Sequence, residues 1–139
     1  MRRHKKGTII IFFIYTLFLV WMVIFKFNFS MSNINPVRDV NWIPFHYDDV
    51  TPGDVPVLES LMNVVVFIPF GFLLSKIGVR MSFFTKLLVV VFLSLSFEFI
   101  QYVFSIGASD TTDIITNTIG GFIGIVIAVL GKSFREKNK

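Results

Sequence analysis

The sequence has no cysteine, which excludes a disulfide framework, an iron–sulfur cluster and a thiolate zinc site and leaves the redox compartment open. Charge is scarce too. Asp, Glu, Lys and Arg make up 16% of the 139 residues against 54% hydrophobic, with a mean hydropathy of +0.74. A soluble domain of this size has too much surface for its volume to hide so much apolar side chain, 18 phenylalanines included. The excess requires lipid. There are two histidines: His4 precedes the first apolar run and His46 lies in a polar loop, so neither is placed as a base among helices. No glycine-rich phosphate cradle, internal repeat or charged low-complexity tail is present.

What is there is a set of four apolar runs, predicted as membrane-spanning helices at about 8–25, 61–77, 83–104 and 114–130 of a single domain, 1–139. The first, Thr8 to Phe25, holds 18 residues without a charge. It is about 27 Å long as a helix, close to a hydrocarbon core of about 30 Å. It is too long for a secretory h-region and no small-residue cleavage site follows, so it reads as an uncleaved anchor. The other three contain Asn63, Pro69, Gly71, Glu98, Thr116, Asn117 and several glycines, which a membrane tolerates mainly where they face other helices. Short connections predict that these three are antiparallel neighbours. Pro69 is expected to kink or loosen the second, and the Gly120–Gly124 step permits close helix approach.

Charge placement gives the direction. Of the 13 Lys and Arg, only Lys26 and Arg38 fall in the 26–60 loop or the 105–113 connection. The rest flank the termini and the 75–86 turn. Seven of the nine acids, Asp39, Asp48, Asp49, Asp54, Glu59, Asp110 and Asp113, lie on the loop side. By the positive-inside rule both termini are cytoplasmic and loop 26–60 is extracytoplasmic. The net charge of +4 therefore reports topology, and no nucleic-acid partner is expected. Within the loop, Trp42-Ile43-Pro44-Phe45 reads either as an aromatic anchor at the headgroups or as a re-entrant flap over the helices.

Polar residues fall in stripes. Ser94, Glu98, Gln101 and Ser105 share one face of the third helix; Asp110, Asp113, Asn117, Gly121 and Gly124 share one face of the fourth; Asn63 lies just inside the second. A carboxylate in hydrocarbon costs about 2.5–3.5 kcal/mol at a helix centre, so Glu98 must face protein or water. Hydrogen bonds from Asn63, Gln101 and Asn117, or an outward wet cleft, are the two ways of holding it; no Lys or Arg lies at that depth unless Lys26 or Arg38 folds in. Asp113 is expected to cap the fourth helix, and Asn63 and Asn117 serve equally well as interhelical glue. The candidate ligand-binding set is Asn63, Glu98, Gln101, Asp110, Asp113 and Asn117. Glu98 and Asp110 are the candidates for acid and base; no metal site or cofactor is expected.

Four segments carry a family resemblance: Asn41-Trp42-Ile43-Pro44-Phe45; Asn63 through Gly71; Phe97-Glu98-Phe99-Ile100-Gln101; and Asp110 through Gly121. Their order and spacing resemble VanZ-like membrane proteins over nearly the whole chain. The resemblance implies a multi-pass membrane protein of the cell envelope of Gram-positive bacteria that gives resistance to the glycopeptide antibiotic teicoplanin. The first reading is thus a non-enzymatic protein whose outward polar cleft binds a lipid-linked wall component or the drug, or alters access to it, with membrane lipids as constant partners. The second is a membrane enzyme acting on a lipid-linked envelope substrate with Glu98 and Asp110 as acid and base. Transport needs more room than four short helices give, unless the chain forms a homo-oligomer.

Overall fold

Apolar runs of this length hold their backbone hydrogen bonds internally only as helices, and the computed structural model, which describes residues 2–25, 40–45, 55–104 and 109–138, has four. Helix α1 spans Arg2–Phe25, α2 Val55–Ile77, α3 Phe83–Phe104 and α4 Thr111–Lys137. Two short strands, β1 (Val40–Asn41) and β2 (Ser109–Asp110), pair in parallel with Val40 opposite Ser109 and Asn41 opposite Asp110. Each helix is long and apolar enough to cross a membrane. The exposed residues are those of a lipid-facing surface: Leu17, Phe92 and Phe99 are about as bare as the exposed residues of a soluble protein, at 70%, 74% and 67%.

Several boundaries differ from those expected. Helix α2 starts six residues earlier, at Val55, because Pro56 sits in the first turn, where a missing N–H costs nothing. Helix α4 starts three residues earlier and continues through the charged tail to Lys137. Pro69 does not interrupt α2. One turn before it, the Tyr15 hydroxyl of α1 donates to Val66 O at 2.7 Å and ties α1 to α2. At the turn into α3, Gly78 N donates to Leu74 O at 2.8 Å, and Ser82 Oγ caps α3 by accepting from Thr85 N at 3.0 Å.

Helix α4 makes its most extensive contact with α2 and the next with α3, while α1 packs on α2 and also touches α3. The expectation that α2 and α3 would be neighbours is corrected here: they meet chiefly where the Phe67 and Phe97 rings pack edge to face, with centroids 6.3 Å apart. Glycine explains the insertion of α4. A Cβ on Gly120 or Gly124 would collide with Val64 O or Ile68 O of α2, one on Gly71 with Gly121 O, and one on Gly121 with Val90 of α3. Backbones therefore touch on one side of α4 and a valine fills the other. These contacts make α2 and α4 parallel and α3 antiparallel to both, and the Phe12–Phe70 ring contact with the Tyr15–Val66 bond sets α1 against α2. The start of α1 and the end of α4 lie at one end of the bundle; β1, β2 and the 40–45 turn lie at the other. The core between them is Leu19, Val23, Val66, Phe67, Phe70, Leu74, Val90, Phe97 and Ile125.

Gly124→Leu should destabilise the bundle by about 1–3 kcal/mol or more, because the α2 backbone cannot yield to a new side chain. Gly131→Leu, whose Cβ meets open space, should be neutral. Thermal unfolding of the detergent-purified variants, followed by circular dichroism, checks both.

Candidate functional site

The polar groups of the loop end are arranged around Asp110. Its backbone is extended, and its Oδ1 accepts from Thr112 N at 2.7 Å, which makes it the N-cap of α4. Its Oδ2 accepts from Asn41 Nδ2 of β1 at 3.3 Å, and its own N–H donates to Glu98 Oε2 of α3 at 2.9 Å. Ser109 Oγ donates to the carbonyl of the same glutamate at 2.9 Å. One residue thus joins α3, β1 and α4, and Glu98 is buried in doing so. The cap expected at Asp113 is one turn earlier. Asp113 lies in the first turn, where its charge still suits the helix dipole, but its Oδ1 accepts from Asn63 Nδ2 at 2.6 Å and ties α2 to α4.

The segment 40–45 is laid across the start of α4. Thr111 Oγ1 donates to Asn41 O at 3.0 Å, Asn41 Oδ1 accepts from Ile43 N at 3.1 Å, and Phe45 N donates to Thr112 Oγ1 at 3.0 Å. Phe45 adopts φ 57°, a left-handed conformation uncommon for an aromatic residue, so the threonine holds the turn in a shape its own sequence does not favour. The side chains of Trp42, Ile43 and Phe45 nevertheless stay exposed. The backbone of the segment is pinned at the start of α4 while its apolar side chains are exposed.

Beneath Trp42 lies a cleft of about 430 Å³ lined by Val40, Leu95, Glu98, Phe99, Tyr102 and Asp110, with Ile114 among the walls. That volume is in the range of small-molecule sites. Among the described residues no Lys or Arg lines it. Of the six residues proposed from the sequence, Glu98 and Asp110 are in this wall. The other four are placed elsewhere. Asn63 and Asp113 bond to each other; Asn117 Nδ2 donates to Ser94 Oγ at 2.9 Å; Gln101 Nε2 donates to Val23 O at 3.4 Å. Asn63, Gln101 and Asn117 are all buried, so they join helices, and among the described residues the hydrogen bond to the Glu98 carboxylate comes from the Asp110 backbone instead. Lys26, Arg38, His46 and Ser105 lie outside the described residues. No three of His, Cys, Asp and Glu gather into a metal-holding group among the described residues.

Asn41, Ser109, Thr111 and Thr112 are parts of the site that the stripe argument missed. Stripes find residues that share a helix face, and these lie before α4 or on its first turn. The spacing Asp110-Thr111-Thr112-Asp113, a cap residue followed three positions later by an acid, is close to a capping box and would have placed the helix start correctly.

Four apolar helices, three of them tied at one end through Glu98, Asp110 and Asp113, define a multi-pass α-helical membrane protein. The VanZ/LLP1 family profile matches residues 12–132, a stretch that contains every residue of the site. The chain belongs to the VanZ/LLP1 family. It is 38% identical over 128 residues to Protein VanZ of Enterococcus faecium, covering 91% of this chain and 76% of that one. No solved structure matches it.

Glu98→Gln keeps an oxygen to accept the Asp110 N–H and should change stability little. Glu98→Leu removes the acceptor and should cost about 1–3 kcal/mol, the usual penalty for a buried polar group left without its partner. Unfolding of the two variants in mixed micelles with increasing denaturing detergent distinguishes them.

Proposed function

We propose that the protein lowers susceptibility to teicoplanin from the extracytoplasmic side of the membrane, without catalysis, through the loop-end cleft. The cleft binds a lipid-linked envelope component or alters access to it. The observation that carries this reading is the position of Glu98 and Asp110 in the wall of a largely apolar cleft bordered by the exposed face of α3. Kinship with the Enterococcus faecium protein supports resistance as the outcome. The hydrogen bonding supports a binding role over acid–base chemistry. Both oxygens of Asp110 accept bonds that cap α4 or fix β1, and Glu98 holds β2, so the two carboxyl groups already have architectural work.

The sidedness rests on the basic residues. Lys76, Arg80, Lys132, Arg135 and Lys137 belong to the terminal end of the bundle, which the positive-inside rule assigns to the cytoplasm. Because the chain has no cysteine, single introduced thiols report the side directly. Ile43→Cys should react with a membrane-impermeant maleimide on intact cells, and Val79→Cys only after permeabilisation.

Expression in a susceptible Gram-positive host should raise the inhibitory concentration of teicoplanin several-fold and leave vancomycin unchanged. Glu98→Leu should abolish the rise. Parallel dilution assays of the two drugs measure it, and an unaltered teicoplanin value in cells that carry the protein in their membrane would refute the proposal.

A further inference from the structure

At the terminal end of the bundle, away from the cleft, Lys86 is the one buried cationic side chain among the described residues, with 7% of its surface exposed. None of the hydrogen bonds and ion pairs among the described residues engages its ammonium. No acid can be brought to it either. Eight of the nine acids belong to the loop end. Glu98, on α3 itself, is twelve residues and about 18 Å from Lys86. Asp39 adjoins Val40 and Asp54 adjoins Val55, while Asp48 and Asp49 lie within four residues of Phe45, a reach of at most about 14 Å. The ninth, Glu136, is exposed near the end of α4 and pairs with Lys132 at 3.8 Å. Residues 2–5, which open α1 at the same end, include no acid.

The start of α3 completes the picture. Ser82 Oγ accepts from Thr85 N at 3.0 Å and Ser82 O accepts from Lys86 N at 3.2 Å, which leaves the N–H groups of Phe83 and Phe84 without a partner in the helix. The first turn holds no acid to meet the positive end of the helix dipole. Helical side chains lean toward the N-terminus, so the Lys86 stem runs toward Ser82, four residues back on the same face. Arg80 is exposed in the turn just before. The adjoining edge between α3 and α4 is apolar: the rings of Phe83 and Phe122, both partly exposed, have centroids 5.7 Å apart.

We propose that the start of α3 binds the phosphate of an anionic bilayer lipid. Lys86 and Arg80 are its counter-charges, the N–H groups of Phe83 and Phe84 its donors, and an acyl chain lies along the Phe83–Phe122 edge. That edge favours a lipid over a free phosphate ester with the same head. A zwitterionic head brings an ammonium of its own toward two cations, which opposes it. The site is separate from the loop-end cleft and does not depend on how the cleft is used.

Native mass spectrometry of the full chain in a non-ionic detergent, titrated with phosphatidylglycerol or phosphatidylcholine of identical acyl chains, tests the proposal. The first phosphatidylglycerol should bind with a dissociation constant about fivefold below that of the first phosphatidylcholine, the effect of roughly one ion pair. Lys86→Met keeps an apolar stem in the buried position and should remove the preference; Lys86→Arg should retain it. Lys132→Gln removes an exposed cation elsewhere at the same end and should leave the preference unchanged. Thr85→Glu completes a capping box with Ser82, so the helix start is kept while the acid fills the site, and the preference should again fall. This variant carries the test if Lys86→Met does not fold. Equal affinity of the wild type for both lipids would overturn the site, as would a preference that survives Lys86→Met or Thr85→Glu, or one that Lys132→Gln lowers as much. Displacement of phosphatidylglycerol by an equal concentration of glycerol phosphate would overturn the lipid assignment.

Discussion

A charged side chain and a set of unpaired backbone N–H groups are each costly near the hydrocarbon of a membrane, and in this protein each resolves the other's cost. Glu98 accepts the N–H of Asp110, and Asp110 in turn caps α4 and holds Asn41. The start of α4, the end of α3 and the β1 segment are fixed by that exchange. Without it the 40–45 turn would have no partner strand, the left-handed Phe45 would lose the helix start that supports it, and the cleft would lose the wall bearing its carboxyl groups.

The opposite half of the molecule depends on closeness instead of polarity. Helices α2 and α4 run parallel with their backbones in contact because Gly71, Gly120 and Gly124 offer no side chain to keep them apart. Lipid tails are as apolar as leucine, so packing and hydrogen bonds, and not the exclusion of water, hold spanning helices together. The Asn63–Asp113 and Asn117–Ser94 bonds supply the polar part of that association, one on each side of α4. A helix held by α2 through glycine and by α3 through Val90 and Ser94 gives the loop-end network a rigid base, which is what a site on a short connection needs to keep its geometry.

Membership of the VanZ/LLP1 family and the likeness to the Enterococcus faecium protein support the proposed use of the cleft. Its inner wall is acidic and its outer wall is continuous with the lipid-facing side of α3.

Much of this was legible in the order of residues. The lengths of the apolar runs determined four spanning helices, since a hydrocarbon layer of fixed thickness leaves little else for them to form. The stripe containing Ser94, Glu98 and Gln101 correctly identified the buried side of α3, because helical periodicity is local. What periodicity could not supply was pairing. Asn63, Asn117 and Glu98 have comparable depth and chemistry, and nothing along the chain says that Asn63 meets Asp113 while Glu98 meets a backbone N–H twelve residues on. The insertion of α4 between α2 and α3 was equally hidden, although the glycines responsible were in plain view, because which helix fills the space left by a missing side chain is decided only when all four are packed together. Hydrophobic length is a property of each segment alone; the choice of partner is a property of the assembled bundle, and only the tertiary structure contains it.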